Sequence, residues 1–347
     1  MKKVLAILVL ALTTSISFAQ DAPETPETTP LVISGSGDLY YKYDFAKVPN
    51  IGTSFGTDQN SVSLGMLDIA LKKTFKGVSF VGEVSFGPRG QYQSIPNGDG
   101  TDANSFHIQN LYASYAVTDN LSFTAGYMGT FIGYEVISPV GNFAYSTSYL
   151  FTNGPFQNAG VKANYKISEK FGAMIGVFND TWNTYKADPI KGLNAVGAQL
   201  SFVSGGTSAY LNFMDGSVSG TIIDLTATFQ LSEKFKLGLN AADFSNGDDI
   251  GYSGAAIYPS YAFSDSFALG LRAEYFQTKE SPDALYYGIN PDQSVTAFTL
   301  SGNYKISGLT IIPEFRMDSN SDEYFVNSDL DPTKSASQFL LAVVYGF

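Results

Sequence analysis

The sequence predicts an all-β chain: a single 16-stranded antiparallel transmembrane β-barrel, with short turns at one end and long loops at the other. Three observations predict it. From Leu31 onward, apolar and polar residues alternate with a period of two, which puts successive side chains on opposite faces of a strand. Short and long connections alternate along the chain without exception, the asymmetry of a membrane-spanning barrel. The last stretch, Ser337 to Phe347 (SQFLLAVVYGF), sets Phe339, Leu341, Val343, Tyr345 and Phe347 on one face. An edge so apolar invites pairing with other chains unless the sheet closes onto it.

Composition narrows the classes. The chain has 347 residues, a mean hydropathy of zero and a 14% aromatic share made almost entirely of Tyr and Phe. Past the N-terminus no apolar run approaches the roughly 20 residues of a membrane helix, so a membrane would be crossed by strands. With no cysteine there is neither a disulfide frame nor a thiolate metal site. The formal charge is −12, and losing Lys2 and Lys3 with a signal peptide makes it −14, which disfavours nucleic acid as a partner.

Met1 to Ala19 has a basic start (Lys2, Lys3), an apolar core from Val4 to Leu12, and small residues at Ser17 and Ala19. This is a secretory signal cleaved after Ala19. Residues 20–30 (QDAPETPETTP) cannot bury a core and read as an extended lead-in. The barrel then occupies 31–347. Four connections share one unit: Tyr115–Leu121, Tyr165–Phe171, Phe229–Phe235 and Tyr261–Phe267. Each runs aromatic, variable, apolar, Ser or Thr, acid, small or polar, large apolar. Looser versions sit at Phe75–Val78, Phe202–Ala209 and Tyr304–Leu309, giving seven tight hairpins. Longer connections near 45–58, 88–103, 132–155, 181–191, 215–219, 245–250, 279–293 and 319–335 make eight outer loops, and together they join 16 strands. Both chain ends then lie on the periplasmic side.

Side-chain facing argues for lipid outside and water inside. Phe267, Leu269, Leu271, Ala273 and Tyr275 oppose Gly270, Arg272 and Glu274; Leu309, Ile311, Pro313, Phe315 and Met317 oppose Thr310, Glu314, Arg316 and Asp318. Val161, Ala163, Tyr165 and Ile167 oppose Lys162, Asn164 and Lys166, and Asp224, Thr226 and Thr228 point inward. Hydrocarbon does not tolerate the charged face. Pro259 and Pro313 lack a ladder donor and are expected at bulges or strand ends. Arg272 with Glu274 and Glu314 with Arg316, each two apart on one strand, are not expected to pair directly, though charges on neighbouring strands are.

The stretch Phe131–Phe156 (FIGYEVISPVGNFAYSTSYLFTNGPF) adds a resemblance. Gly133-Tyr134-Glu135-Val136-Ile137, Tyr145-Ser146, Ser148-Tyr149-Leu150-Phe151 and Pro155-Phe156 resemble the OmpL-like, beta-barrel porin 2 family of outer-membrane porins. The resemblance implies a channel in the outer membrane of a Gram-negative cell, taking small hydrophilic solutes or ions by passive diffusion without a cofactor. In general porins, similar in strand count, the third outer loop folds back and narrows the bore; the loop 132–155 is the third here and the longest. Glu135 is then the candidate acidic lip of the constriction, with Lys162, Arg272 and Arg316 as candidate partners across or beside it. The bland reading leaves Glu135 solvated and the inward charges paired along the wall. The terminal strand, with Tyr345 and Phe347, resembles the sorting signal read by the barrel assembly machinery. General porins are trimers; no residue pattern here demands a homotrimer.

Sixteen strands leave an aqueous channel where eight close on packed side chains. An adhesin or structural anchor without an open channel has equally polar outer loops. A barrel hydrolase needs a base beside a nucleophile, and the one histidine, His107, has Ser105 two residues before it but no recognisable motif around it; the expectation is no enzyme. Asp318-Ser319-Asn320-Ser321-Asp322 has spaced oxygen ligands, but Glu323 stands where a calcium loop turns on Gly and Asp329 where it needs Glu, so it reads as a solvated loop. Selectivity is balanced: the net charge suggests cations, and inward Lys162, Lys166, Lys236, Lys305, Arg272 and Arg316 oppose it.

Overall fold

A computed structural model describes residues 29–91, 106–180, 182, 192–247, 249–281 and 284–347; the signal 1–19 and all of the lead-in but Thr29 and Pro30 lie outside these. The first eight barrel strands are β1 (Val32–Asp44), β2 (Ser61–Phe75), β3 (Val78–Phe86), β4 (Phe106–Ala116), β5 (Leu121–Gly129), β6 (Gln157–Lys166), β7 (Phe171–Asn179) and β8 (Leu193–Ser204). The second eight are β9 (Thr207–Gly216), β10 (Gly220–Gln230), β11 (Phe235–Ser245), β12 (Gly251–Ala262), β13 (Phe267–Thr278), β14 (Ser294–Ile306), β15 (Leu309–Asn320) and β16 (Ser335–Gly346). Each pairs antiparallel with its sequence neighbours, and β16 closes on β1 from Ser36↔Gly346 to Asp44↔Gln338. A small ribbon, Phe325–Val326 with Pro332–Thr333, lies in the last outer loop.

The repeated turn unit has a local cause. In each copy the apolar third residue donates its N–H to the carbonyl of the seventh: Val117 to Leu121, Ile167 to Phe171, Leu231 to Phe235 and Phe263 to Phe267, at 2.9–3.0 Å. The hydroxyl of the fourth residue accepts the N–H of the seventh, Thr118 from Leu121 at 3.0 Å and Ser168, Ser232 and Ser264 from Phe171, Phe235 and Phe267 at 3.0–3.1 Å. A Ser or Thr is needed there because the turn leaves that one donor facing inward on itself.

The face assignments hold through the register. On β13, Gly270, Arg272 and Glu274 are buried inside while Tyr275 is exposed outside; on β15, Glu314, Arg316 and Asp318 are buried and Phe315 and Met317 exposed. The two prolines depart from expectation. Neither sits at a bulge or a strand end: the β12–β13 ladder runs to Ile257↔Ala273 and resumes at Ser260↔Gly270, and the β14–β15 ladder breaks between Ser301↔Glu314 and Tyr304↔Ile311, both without a shift of register. In an antiparallel strand one residue's N–H and C=O point at the same neighbour. Each proline therefore opens one ladder and leaves the other intact, Leu237↔Pro259 and Pro313↔Leu341.

The fifth outer connection is also shorter than an outer loop usually is, three residues (217–219) between β9 and β10. Asp180, just past β7, holds it. Its carboxylate accepts the N–H groups of Val218 (3.0 Å) and Ser219 (2.9 Å) and the hydroxyls of Ser217 and Ser219 (2.9 and 2.7 Å). Burial works against the charge, but the hydrogen bonds from Ser219, Ser217 and Val218 outweigh it and hold the carboxyl below its ordinary value of 3.8. A depressed folded pKa adds stability that is present above the unfolded value and is lost as pH falls through the folded one. Amide exchange protection at Val218 and Ser219 is expected to persist from neutral pH down to the ordinary aspartate range. Asp180→Asn is expected to lose it severalfold at neutral pH; equal protection in the variant refutes the tie.

Candidate functional site

The third outer connection, residues 130–156, turns back from β5 into the barrel, where inward-facing groups of distant strands receive it. Gly133 donates its N–H to Asp224 on β10 at 2.9 Å, and the ring of Tyr134 stacks on Tyr258 of β12 at 4.4 Å between centroids. Tyr134 and Phe143 lie so close over Gly238 of β11 and Gly270 of β13 that a Cβ there would stand 2.2 and 2.3 Å from their atoms. Only glycine leaves the wall low enough to seat these rings. At the far tip, Ser138 meets Ser36 of β1 at 3.3 Å, and Val140 lies beside Gly346, the last residue of β16. The loop thus spans the bore nearly to its periplasmic end.

Backbone donors of the loop are matched by wall carboxylates. Glu314 on β15 accepts from the N–H groups of Tyr145 and Ser146 at 2.8 and 3.3 Å. Glu274 on β13 accepts from Tyr149 and Leu150 at 2.9 and 2.8 Å. Those two donors open the short helix α1 (Tyr149–Asn153), whose first N–H groups have no intrahelical partner. Ser148 caps the third, accepting from Phe151 at 2.9 Å, so a buried helix end is fully satisfied and its positive pole faces a carboxylate.

Carbonyls of the loop are gripped by arginines. Arg272 donates to Ser146 O (2.6 Å), Thr147 O (3.2 Å) and Thr299 Oγ1 (3.1 Å), and its Nη1 lies 2.7 Å from Glu135 Oε1. The other Glu135 oxygen accepts the N–H of Ser148 at 2.7 Å. Arg316 donates to the same Thr147 carbonyl at 2.8 Å, to Thr53 of the first outer loop at 3.0 Å, and through Nε and Nη2 to both oxygens of Asp318 at 2.8 and 2.9 Å. Arg316 and Asp318 thus form a direct i, i+2 pair, the long guanidinium stem folding back along its own strand. Arg89, in the second outer loop, donates to Ile137 O and Tyr145 O at 3.1 Å and lies between the rings of Phe55 and Tyr145.

Two phenols complete the clamp. Tyr145 Oη donates to Asp38 at 2.5 Å and Tyr149 Oη to Asp318 at 2.8 Å. Burial pushes both phenols well above their ordinary value, with the partner carboxylate adding to the effect against the neighbouring arginine, so both remain donors.

Of the four candidate constriction residues, the structure brings Glu135 and Arg272 together and sets Arg316 beside them on the shared carbonyl of Thr147. Glu135 points into the wall and is 8% exposed. Lys162 stands apart on β6, facing inward opposite Thr124 and Gly176. The most exposed side chains of the loop's tip are apolar, Val136 and Val140; Ile137, Ser138, Asn142 and Phe143 beside them are partly exposed. Inward groups on the facing wall, Glu83, Tyr112, Ser114 and Lys162, are also partly exposed. His107 is buried on β4, with Ser105 outside the described residues. Asp318 is taken by Arg316 and Tyr149. Tyr345 faces outward on β16, opposite Gly37 and Leu309, while Phe347 exchanges two 3.0 Å backbone hydrogen bonds with Gly35.

Residue reading alone missed Arg89, Asp38, Glu274 and Glu314 as anchors. The signal existed for the last two, since inward carboxylates on a wall of small residues need a donor, but nothing in the sequence names the donor.

Comparison with known proteins adds three findings. The model of the family described as "Putative beta-barrel porin-2, OmpL-like" matches residues 30–347. A search of curated proteins found no match. Among solved structures, the chain is similar to the outer membrane channel DcaP of Acinetobacter baumannii, with 12% identity over 91% of this chain and 97% of that one and a TM-score of 0.61. It is also similar to an anion-selective porin from Comamonas acidovorans (13%, 92% and 100%, TM-score 0.60) and to OmpF of Salmonella typhi (11%, 91% and 97%, TM-score 0.58). At these identities the likeness is one of fold.

Proposed function

This chain belongs to the OmpL-like beta-barrel porin-2 family and is an outer-membrane channel, and from that premise we propose how it conducts: small hydrophilic solutes diffuse passively through a bore narrowed by the loop 130–156. The observation that supports this is the partial exposure of inward polar groups on the wall the loop faces. A filled barrel would bury them as it buries Arg272 and Glu274. Glu135, Arg272 and Arg316 act as anchors that set the aperture from behind, and Lys162 faces it across the bore. The chemistry is transport, not catalysis, and needs no cofactor.

The outward apolar face meets membrane lipid, and Tyr345 and Phe347 present the last strand to the assembly machinery. A homotrimer is the assembly we propose; a solved neighbour from Vibrio cholerae is described as a trimer form. Single-channel recording of the refolded protein in a planar bilayer tests the proposal. Discrete conductance steps are expected. Silent insertion of protein that is heat-modifiable on a gel, hence folded, would exclude an open channel and favour an adhesin or anchor.

A further inference from the structure

The inward face of the barrel is electrically divided along its axis. Among the four strand residues nearest the periplasmic turns, and Lys162 just above them, every inward-facing charged side chain is a lysine: Lys72 on β2, Lys162 and Lys166 on β6, Lys236 on β11 and Lys305 on β14. The register fixes these directions. Lys72 is four residues from Asp68, which bonds Ser36 inside, and Lys236 and Lys305 each lie two residues from groups that touch the inserted loop, Gly238 and Asn303. The strands involved are spread around the circumference, so the lysines form a ring.

Inward carboxylates occupy the rest of the bore, but nearly all are buried in bonds. Asp38, Asp44, Asp68, Asp224, Glu274, Glu314 and Asp318 are at most 7% exposed. Glu83 is the one inward strand carboxylate among the described residues that is more than marginally exposed, and it accepts from Asn110 at 2.5 Å. The lysines differ. Lys166 is paired with Glu169 in the adjoining turn, whereas the ammonium groups of Lys72, Lys162, Lys236 and Lys305 have no hydrogen bond or ion pair among the described residues, and all four side chains are at least partly exposed. The net charge of the chain is negative, yet the mobile charge a solute meets in the bore is positive.

We propose that the periplasmic third of the bore is an anion vestibule, in which Lys72, Lys162, Lys236 and Lys305 select small oxyanions, carboxylates and phosphates, over cations. Ammonium groups on flexible stems are point charges that several oxyanion geometries can satisfy, and like charges converging on a low-dielectric bore concentrate counter-ions there. The vestibule makes the last contact of a solute with the protein before it enters the periplasm. The apolar loop tip at Val140, which rests at the same end of the bore beside Gly346, offers a surface for the carbon part of an organic anion.

This proposal rests on the open-channel reading, and the test separates the two. Reversal potentials would be measured in a potassium chloride gradient, then current with inorganic phosphate added to either chamber. The expected results are a reversal potential on the chloride side and a phosphate-dependent fall in chloride current at lower concentration from the periplasmic side. Lys236→Gln with Lys305→Gln should lower the chloride-to-potassium ratio severalfold and relieve the phosphate effect. Lys334→Gln, in the last outer loop, should change neither. A silent but folded barrel overturns the channel reading. A conducting barrel that prefers potassium, or one whose selectivity survives loss of all four lysines, overturns the vestibule and leaves the channel standing.

Discussion

Arg272→Met is expected to raise the single-channel conductance severalfold and make the open current noisy. The guanidinium is buried and holds two loop carbonyls, a wall hydroxyl and Glu135 at once. Methionine has comparable length and no donor. Its introduction leaves the Glu135 carboxylate buried without a cation, and breaking such a pair costs roughly 3–5 kcal/mol. The loop relieves that penalty by leaving the wall, which takes Val136 and Val140 away from the aperture. Because the cost falls on the docked loop and not on the backbone ladder, the barrel itself is expected to stay heat-modifiable. Pairing Arg272→Met with Glu135→Gln should recover part of the lost docking, since the stranded charge is gone, whereas a purely steric effect would not respond to the second change. A folded Arg272→Met barrel with the parental current shows that the loop is held by something else.

Gly126→Val is expected to abolish the folded form altogether. Gly126 sits inside β5 with φ of +137°, a conformation side chains avoid, and a Cβ there would stand 2.3 Å from the carbonyl oxygen of Leu111 and 2.7 Å from the Cα of Tyr112 on β4. Both obstacles are backbone, so no rotamer change relieves them, and the β4–β5 ladder must break. Gly129→Ala, three residues further along the same strand, is the control: its nearest neighbour is the Asn110 side chain at 3.8 Å, an ordinary contact. Refolding yield, read as the heat-modifiable band, should vanish in the first and persist in the second. Survival of Gly126→Val would mean that β5 pairs differently from the register given.

The barrel was legible in the sequence because its causes are local. Period-two alternation states which face each residue takes, and the Ser or Thr of each turn unit bonds a donor three residues on, so a short window contains the whole argument. The loop's attachment has no such window. Glu135 meets Arg272 across 137 residues, a pairing the sequence offers only as one of three candidates, and Tyr145 meets Glu314 across 169, where nothing in the sequence names the partner. From sequence Glu135 is a candidate lip of the bore, whereas the structure turns it toward Arg272 in the wall behind it. The inward facing of Lys72 is hidden from simple counting for a smaller reason: the bulge between Gly37 and Leu39 displaces the β1–β2 register and shifts the phase of β2. The rule that a strand needs every donor puts Pro259 and Pro313 at defects, but an antiparallel strand with two neighbours can forgo one side.

The inserted loop has a second consequence, for assembly. Its bonds reach Ser36 and Asp38 on the first strand and Glu314 on the last but one, and its tip rests against the end of the strand that closes the cylinder. Nothing can dock there until the C-terminal third of the chain has been inserted, so the bore is widest while the barrel is being made. Once docked, the loop bridges the closing β1–β16 seam from inside, and opening that seam requires pulling the loop out first. The segment that narrows the channel thereby also sets how slowly the cylinder can come apart.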